Sequence, residues 1–320
     1  MTDTPGLQAR TDGCWLVFGA SGYIGGHLVP RLLAEGRSVR AVARNPAVLE
    51  GRGWTGAELA SADALDPETL PPVLENVDVA YYLVHSMAAG RGFSQLDHEA
   101  AKNFGEAAKA AGVRRVVYLG GLIPEGVRSE HLRSRADTGA VLRDCGVSVT
   151  EIRAGIIVGP GSAAFEVIRD LVNNLPAMIT PRWVHCKTPP IALENLLEYL
   201  VRVPEVPETA DGTYDVAGPE MLSYEDLMRQ YGEIVGRQVG DVAGVDPDAD
   251  HLHQLVGRSD ALDRTRAANA IDRPLVEAPD VQVAGGLVDG NALGPELEAG
   301  EPMDHLGRCQ RCRVGREPPG

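Results

Sequence analysis

Cys14-Trp15-Leu16-Val17-Phe18-Gly19-Ala20-Ser21-Gly22-Tyr23-Ile24-Gly25 is the stretch on which the fold turns. Its first five residues are an unbroken apolar run, the pattern of a strand buried on both faces of a parallel sheet. The segment after the glycines, Tyr23 to Glu35, carries Ile24, Leu28 and Leu32 at helical spacing and stops at Gly36, a natural C-cap. A glycine turn between strand and helix has a physical use. Gly19 permits the tight turn, Gly22 lets backbone approach a pyrophosphate, and Gly25 lets helix and strand pack closely. The helix N-terminus then presents free N–H groups and a positive dipole end to phosphate. Gly19, Ser21, Gly22, Tyr23, Ile24 and Gly25 are therefore candidates for gripping a dinucleotide.

The alternation continues outward from this motif. Strands are expected over Ser38–Ala43, Ala57–Ala60, Val77–Val84, Val116–Leu119 and Ser148–Ile152, with helices over Phe93–Ala111 and Ser129–Asp144. Asp66-Pro67 reads as an N-cap followed by proline at the first helical position, and Ser129 as a second N-cap. Strand-helix repetition of this kind specifies an α/β fold, a Rossmann-type doubly wound parallel sheet. Past residue 160 the rhythm loosens: helices are expected at Phe165–Leu175, Ile191–Val201 and Tyr224–Val235, and a strand at Thr213–Val216. The expected organisation is a nucleotide-binding core over 1–160, a smaller substrate or capping lobe over 161–283, and a flexible tail over 284–320.

Composition narrows the partners. Acidic residues outnumber basic ones 45 to 30, a formal charge of −15, which disfavours nucleic acids and anionic membrane surfaces. Met1 to Gly13 is polar and unlike a signal peptide, and no run approaches a membrane span. Five scattered cysteines do not make a disulfide framework, so the cytoplasm is the expected compartment. A small-molecule substrate is the expected partner, and a homo-oligomer is compatible with the composition.

The end of the second strand selects the cofactor. An NAD site places an acid there for the ribose 2′-hydroxyl, whereas an NADP site uses arginine for the 2′-phosphate. The sequence reads Val39-Arg40-Ala41-Val42-Ala43-Arg44, without an acid. Arg44 is thus the candidate phosphate fork, Ser21 a second donor, and NADP(H) is preferred over NAD(H).

With these residues quoted, the chain resembles the short-chain dehydrogenase/reductase superfamily, and within it the atypical, NmrA-like NAD(P)H-binding branch. The resemblance runs over about residues 14–240 and rests also on Tyr81-Tyr82-Leu83-Val84-His85-Ser86-Met87, Tyr118-Leu119-Gly120-Gly121-Leu122 and Arg153-Ala154-Gly155. It implies that Asp63 and Ala64 lie near adenine, and that Val84, His85 and Ser86 border the cofactor. It also implies a serine after the fifth strand and Tyr-x-x-x-Lys on the next helix. Here the chain departs: Gly120 and Gly121 stand in the serine region, and His131-Leu132-Arg133-Ser134-Arg135 stands for the tyrosine and lysine.

His131 and Arg135 are four apart and share a helix face. Histidine titrates near neutrality and serves as acid or base, while arginine anchors ribose or phosphate without shuttling protons. A histidine on a helix rich in Arg, Glu and Asp is also often simply solvated surface. His85 and Ser86 follow the fourth strand, which flanks the ligand crevice in the usual strand order, and form a second candidate pair. Arg153 is expected to order the Gly159-Pro160-Gly161 loop, and Trp183, Met178 and Phe165 suit either an apolar pocket or core packing. His305, Cys309 and Cys312 lack a fourth ligand, so no metal is expected. Three readings stand: an NADP(H)-dependent oxidoreductase on a small apolar carbonyl, enone or quinone-like substrate; a non-catalytic NADP(H)-sensing regulator or assembly factor; and a redox-neutral epimerase or dehydratase.

Overall fold

The computed structural model describes residues 13–85, 93–122, 130–174, 179–237, 243–245 and 315–316. Its centre is a parallel sheet of β1 (Cys14–Phe18), β2 (Val39–Ala43), β3 (Ala57–Ser61), β4 (Val77–Tyr82), β5 (Arg115–Gly121), β6 (Val149–Ala154) and β7 (Thr213–Val216). The parallel strands lie in the order 3-2-1-4-5-6-7, and Gly315–Arg316 adds a two-residue antiparallel pairing outside β7. Helices fill the connections: α1 (Tyr23–Ala34), α2 (Ala47–Glu50), α3 (Leu70–Leu74), α4 (Phe93–Ala110), α5 (Glu130–Asp144), α6 (Ala163–Asn174), α7 (Leu193–Arg202) and α8 (Tyr224–Ile234). The fold is a Rossmann-type doubly wound sheet, as the strand-helix alternation implies.

Strand pleating sorts the core into two layers. Trp15 and Val17 of β1 face α1 and α7, while Leu16 and Phe18 face α3 and α4. On the second face Phe18, Tyr82, Phe104 and Tyr118 form an aromatic ladder, with ring centroids 4.9 Å apart for Tyr82 and Phe104 and 6.2 Å for Tyr82 and Tyr118. Tyr82 and Tyr118 are fully buried and project from neighbouring strands toward the same helices. At the opposite edge, Arg114 holds the buried Asp78 carboxylate through Nε and Nη2, the latter at 2.8 Å.

Local sequence accounts for the element ends. Gly36 takes φ +75°, and the N–H groups of Gly36 and Arg37 turn back to Leu33 and Leu32, closing α1 as its C-cap position requires. Ser223 caps α8 by accepting from the Asp226 N–H at 3.0 Å, while the Asp226 carboxylate accepts from the Ser223 N–H at 2.8 Å. Asp66 does not cap through its side chain as the sequence suggested; the Thr69 hydroxyl reaches its carbonyl instead, at 2.7 Å. Ser129 lies outside the described residues.

The division at residue 160 does not separate the layers. Leu193, Leu196, Leu197, Leu200 and Val201 make a buried helical stripe on α7, which packs in the first core layer together with α1 residues and Tyr214 and Val216 of β7. β7 pairs in parallel with β6 and so extends the main sheet. Both pieces come from the segment expected to form the lobe. A four-residue strand signal says nothing about which sheet edge it will join. What remains of the lobe is α6 against α8, around its own small core of Ile168, Val172, Val184 and Met228. Residues 284–320, apart from 315–316, lie outside the described residues.

Candidate functional site

Sheet order places β1 between β2 and β4, so the ligand crevice opens where the glycine turn meets the end of β4. Gly19 has φ +94°, and a Cβ there would stand 3.0 Å from the Leu83 carbonyl and 3.1 Å from Val84 Cγ2. The N–H groups of Gly19 and Ala20 both reach the Val42 carbonyl at 3.0 Å, which pins the turn to β2. A Cβ on Gly25 would lie 2.5 Å from the Gly19 oxygen and 2.7 Å from Ala20 Cα, so the helix seats on the turn only without a side chain. Gly22 differs: a Cβ there would meet only the Gly19 oxygen, at 3.3 Å. Its outer side is open. No side chain caps α1 and no acid lies in its first turn. The residues thus fit a dinucleotide: open N–H groups at a helix N-terminus with bare backbone in front of them.

Ser21 is exposed on the outer side of that turn. Arg44 follows β2, its carbonyl held by the Ser61 hydroxyl at 3.1 Å, and its side chain is exposed with no partner among the described residues. Ala64 is buried, and its carbonyl accepts from the Asn103 amide at 2.9 Å. Asp63 folds its carboxylate onto the Leu65 N–H at 3.0 Å. Tyr23 presents its ring to Gly159 and Gly161, and burial, reinforced by Glu166 and Glu194, pushes its phenol up to about 12. Its hydroxyl is buried without a hydrogen-bond partner among the described residues.

Further along the edge, His85 follows β4 and meets the Tyr118 ring edge-on, centroids 6.2 Å apart. The Tyr118 hydroxyl donates to the Arg135 carbonyl at 2.9 Å, and burial raises its pKa, opposed by the Arg135 charge. One residue before Arg135, the Ser134 hydroxyl donates to the buried Asp97 carboxylate at 3.0 Å, tying α5 to α4. The Arg135 guanidinium is depressed by burial, and its Nε has no hydrogen-bond partner among the described residues. Arg135 is half-buried, and an unpartnered Nε on such a cation is a donor open to a ligand. The backbone of α5 carries His131 one turn before Arg135; the His131 side chain and Ser86 lie outside the described residues.

The serine position has a structural answer. A Cβ on Gly120 would stand 2.9 Å from Glu151 Oε1, and one on Gly139 2.5 Å from Glu151 Oε2. The Glu151 carboxylate is buried between these glycines and accepts from Arg143 Nη1 at 2.7 Å. The carboxylate takes the space that a serine would need. Arg153, expected to order the Gly159 loop, donates through Nε to Asp215 on β7 at 2.6 Å, and the Gly161 N–H goes to Glu166. Phe165 packs edge-on against Tyr231 at 5.5 Å, while the Met178 and Trp183 side chains lie outside the described residues.

Sequence reasoning missed Arg52 and Glu151. Arg52 sits in the turn after α2 and donates through Nη2 to the Ser21 carbonyl at 3.3 Å. Nothing in Gly51-Arg52-Gly53 announces that contact, because it depends on how α2 folds back. For Glu151 the signal was present: an acid inside an apolar strand needs a partner and space. Among the described residues no cluster suits a metal ion and no helix is long and apolar enough to cross a membrane. His305, Cys309 and Cys312 fall outside them.

Comparison with known proteins agrees with this geometry. Residues 19–155 match the NAD(P)H-binding family model. Sterol demethylase protein B of Methylococcus capsulatus is 31% identical over 125 residues, covering 36% of this chain and 38% of that protein. Ceramide reductase of Caulobacter vibrioides is 26% identical over 55% of this chain and 54% of its own length. The chain therefore spans about half or less of these two relatives. Photosystem II assembly factor Ycf39 of Trieres chinensis is 22% identical over 69% of each chain. Among solved structures, the Citrobacter triphenylmethane reductase complexed with NADP(H) superposes with a TM-score of 0.63 at 18% identity, covering 78% of this chain and 90% of that one. The Thermus thermophilus UDP-glucose 4-epimerase complexed with NAD gives 0.61 at 19%, covering 74% and 87%. Residues 19–155 thus match the NAD(P)H-binding family model, and the chain shares its fold with the NADP(H)-bound reductase and the NAD-bound epimerase.

Proposed function

We propose that the protein is an NADP(H)-dependent oxidoreductase acting on a small apolar carbonyl, enone or quinone-like substrate in the cytoplasm. The observation that carries this reading is the open N-terminus of α1 behind Gly22, beside a β2 end that bears Arg44 and no acid. Bound NADP(H) supplies the hydride chemistry. The chain's own residues do the rest. Gly19 to Gly25 hold the pyrophosphate with backbone N–H groups, and Arg44 with Ser21 takes the 2′-phosphate. Asp63, Ala64 and Val84 border the adenine and nicotinamide halves. Arg135 holds the ribose, His131 one turn earlier supplies or accepts the proton, and His85 with Ser86 orients the reacting group. The α6–α8 unit, which is what remains of the lobe, shields the substrate from water.

Calorimetric titration of the full chain with NADPH and NADH tests the cofactor. Micromolar NADPH binding, at least tenfold tighter than NADH and lost in Arg44→Ala, is expected; equal binding of both nucleotides sinks the preference. On an acceptor that turns over, His131→Ala should lower kcat by about 100-fold if it moves the proton. Retained activity removes it from the mechanism.

A non-catalytic NADP(H)-sensing role is the second reading. It is favoured by the packing of Glu151 against Gly120, which leaves no space for a serine at that position, and by the likeness to an assembly factor. A sensor binds the nucleotide and changes a partner's affinity without consuming NADPH in the presence of any acceptor. An epimerase or dehydratase fits least, for want of the tyrosine base.

A further inference from the structure

We propose that the Tyr23 side chain is a latch between the nucleotide turn and the α6–α8 unit, so that a dinucleotide seated on α1 fastens the Gly159–Ser162 loop and the helix that it starts. The coupling rests on the dinucleotide reading above and holds for either nicotinamide cofactor. Tyr23 opens α1 directly after Gly22, and its side chain reaches the loop that precedes α6. A Cβ on Gly159 would stand 2.9 Å from the Tyr23 hydroxyl oxygen and 2.8 Å from Leu193 Cβ, so the ring tip and the start of α7 take the space of a side chain there. Gly161, at φ +79°, lays bare backbone along the ring: a Cβ on it would meet Tyr23 Cε2 at 3.5 Å. The base of the ring is held within α1, where His27 meets it edge-on at 4.8 Å and places Nδ1 2.9 Å from the Tyr23 carbonyl oxygen.

The loop and the first turn of α6 are bonded as one piece. The Ser162 hydroxyl donates to the Ile157 carbonyl at 2.6 Å, the Gly161 N–H to Glu166 Oε1 at 3.1 Å, and the Glu166 N–H to the Ser162 carbonyl at 2.8 Å. The Tyr23 hydroxyl is buried and has no hydrogen-bond partner among the described residues. Burial holds its proton in place, and the charges of Glu166 and Glu194 add to the effect. A buried donor left unbonded destabilises the arrangement that contains it, and carboxylates on neighbouring elements are ready acceptors. Glu166 lies in the first turn of α6 and Glu194 in the first turn of α7. A small shift of the loop toward α1 gives the hydroxyl one of them. The dinucleotide favours that shift because its pyrophosphate fixes the turn from which the ring projects.

Hydrogen exchange of the full chain tests the latch, read on peptides covering 157–174 with and without saturating NADPH or NADH, in the parent, Tyr23→Phe and Gly159→Ala. Calorimetry establishes saturation, so a changed affinity does not enter the comparison. In the parent the nucleotide is expected to slow exchange there by at least about fivefold, and in Tyr23→Phe, which loses only the hydroxyl, by less than about twofold. Gly159→Ala drives a methyl between the hydroxyl and Leu193 from outside the turn, and it should lose the slowing as well. Tyr23→Phe alone decides should Gly159→Ala fail to fold. The nucleotide-free Tyr23→Phe protein should melt no lower than the parent, because the lost hydroxyl had no bond there. A parent that binds nucleotide without slowing, undiminished slowing in either variant, or a lower melting temperature of free Tyr23→Phe overturns the latch while nucleotide binding stands. A parent that binds neither nucleotide overturns the dinucleotide reading, and the latch with it.

Discussion

Gly25→Ala isolates the contribution of close helix seating. The added methyl carbon would stand 2.5 Å from the Gly19 oxygen and 2.7 Å from Ala20 Cα, and neither atom belongs to a side chain that can swing away. Restoring an ordinary 3.4 Å contact requires the turn and helix to part by about 0.9 Å. Overpacking of this kind costs about 1–3 kcal/mol, while replacing glycine in a helix returns up to about 1 kcal/mol. The net loss of stability should be about 0–2 kcal/mol, and the protein should fold. Binding is affected more, because the N–H groups that face the pyrophosphate move with the helix. A shift of that size stretches hydrogen bonds from about 2.9 Å beyond their useful range, so two lost bonds to charged oxygen weaken NADPH at least 100-fold. Chemical denaturation and calorimetric titration measure the two effects separately. Parental affinity in Gly25→Ala, with stability intact, would refute the seating argument.

Asp78→Ala strands Arg114, only 12% exposed, without its carboxylate, and should cost about 3 kcal/mol in denaturant unfolding; a loss below about 1 kcal/mol would show that water already serves the guanidinium. Gly120→Ser, which restores the superfamily residue, should destabilise the chain by about 1–3 kcal/mol, because its Cβ meets Glu151 Oε1 at 2.9 Å, and it should not raise activity. A more active and equally stable variant would mean that Glu151 yields easily. The Asp226 carboxyl is held below its ordinary range first by the Ser223 N–H and then by the Ser223 hydroxyl. Its contribution is present above the unfolded value and fades as pH falls through the lower folded value. The melting-temperature gap between parent and Asp226→Asn should therefore narrow from about pH 6 to about pH 3; a constant gap contradicts the capping assignment.

The six strands up to β6 were legible because each buried parallel strand is a short apolar run bounded by turn residues, and their ends differ by at most two residues from the sequence reading. The nucleotide cradle was legible for a related reason. Gly19 takes φ +94° and Gly25 seats the helix directly on the turn, geometry that only glycine permits, so residue type alone reports the turn. The edge carrying His85 and Arg135 was less so. Arg135 was named from spacing, but its buried, partly unpartnered guanidinium depends on α5 packing over Tyr118. The Arg153–Asp215 pair was not legible because Asp215 is 62 residues away, on a strand whose place in the sheet was not foreseen.

The division follows the range of the forces involved. Turn sterics, helix periodicity and strand burial act over a few residues, so the sequence by itself determined the strand-helix order, the glycine cradle and the arginine at the end of β2. Contacts between distant segments depend on how layers pack. Only the tertiary structure decided that β7 joins the main sheet and α7 packs in its first core layer, that Glu151 fills the space beside Gly120, and that Arg52 comes to rest on Gly26.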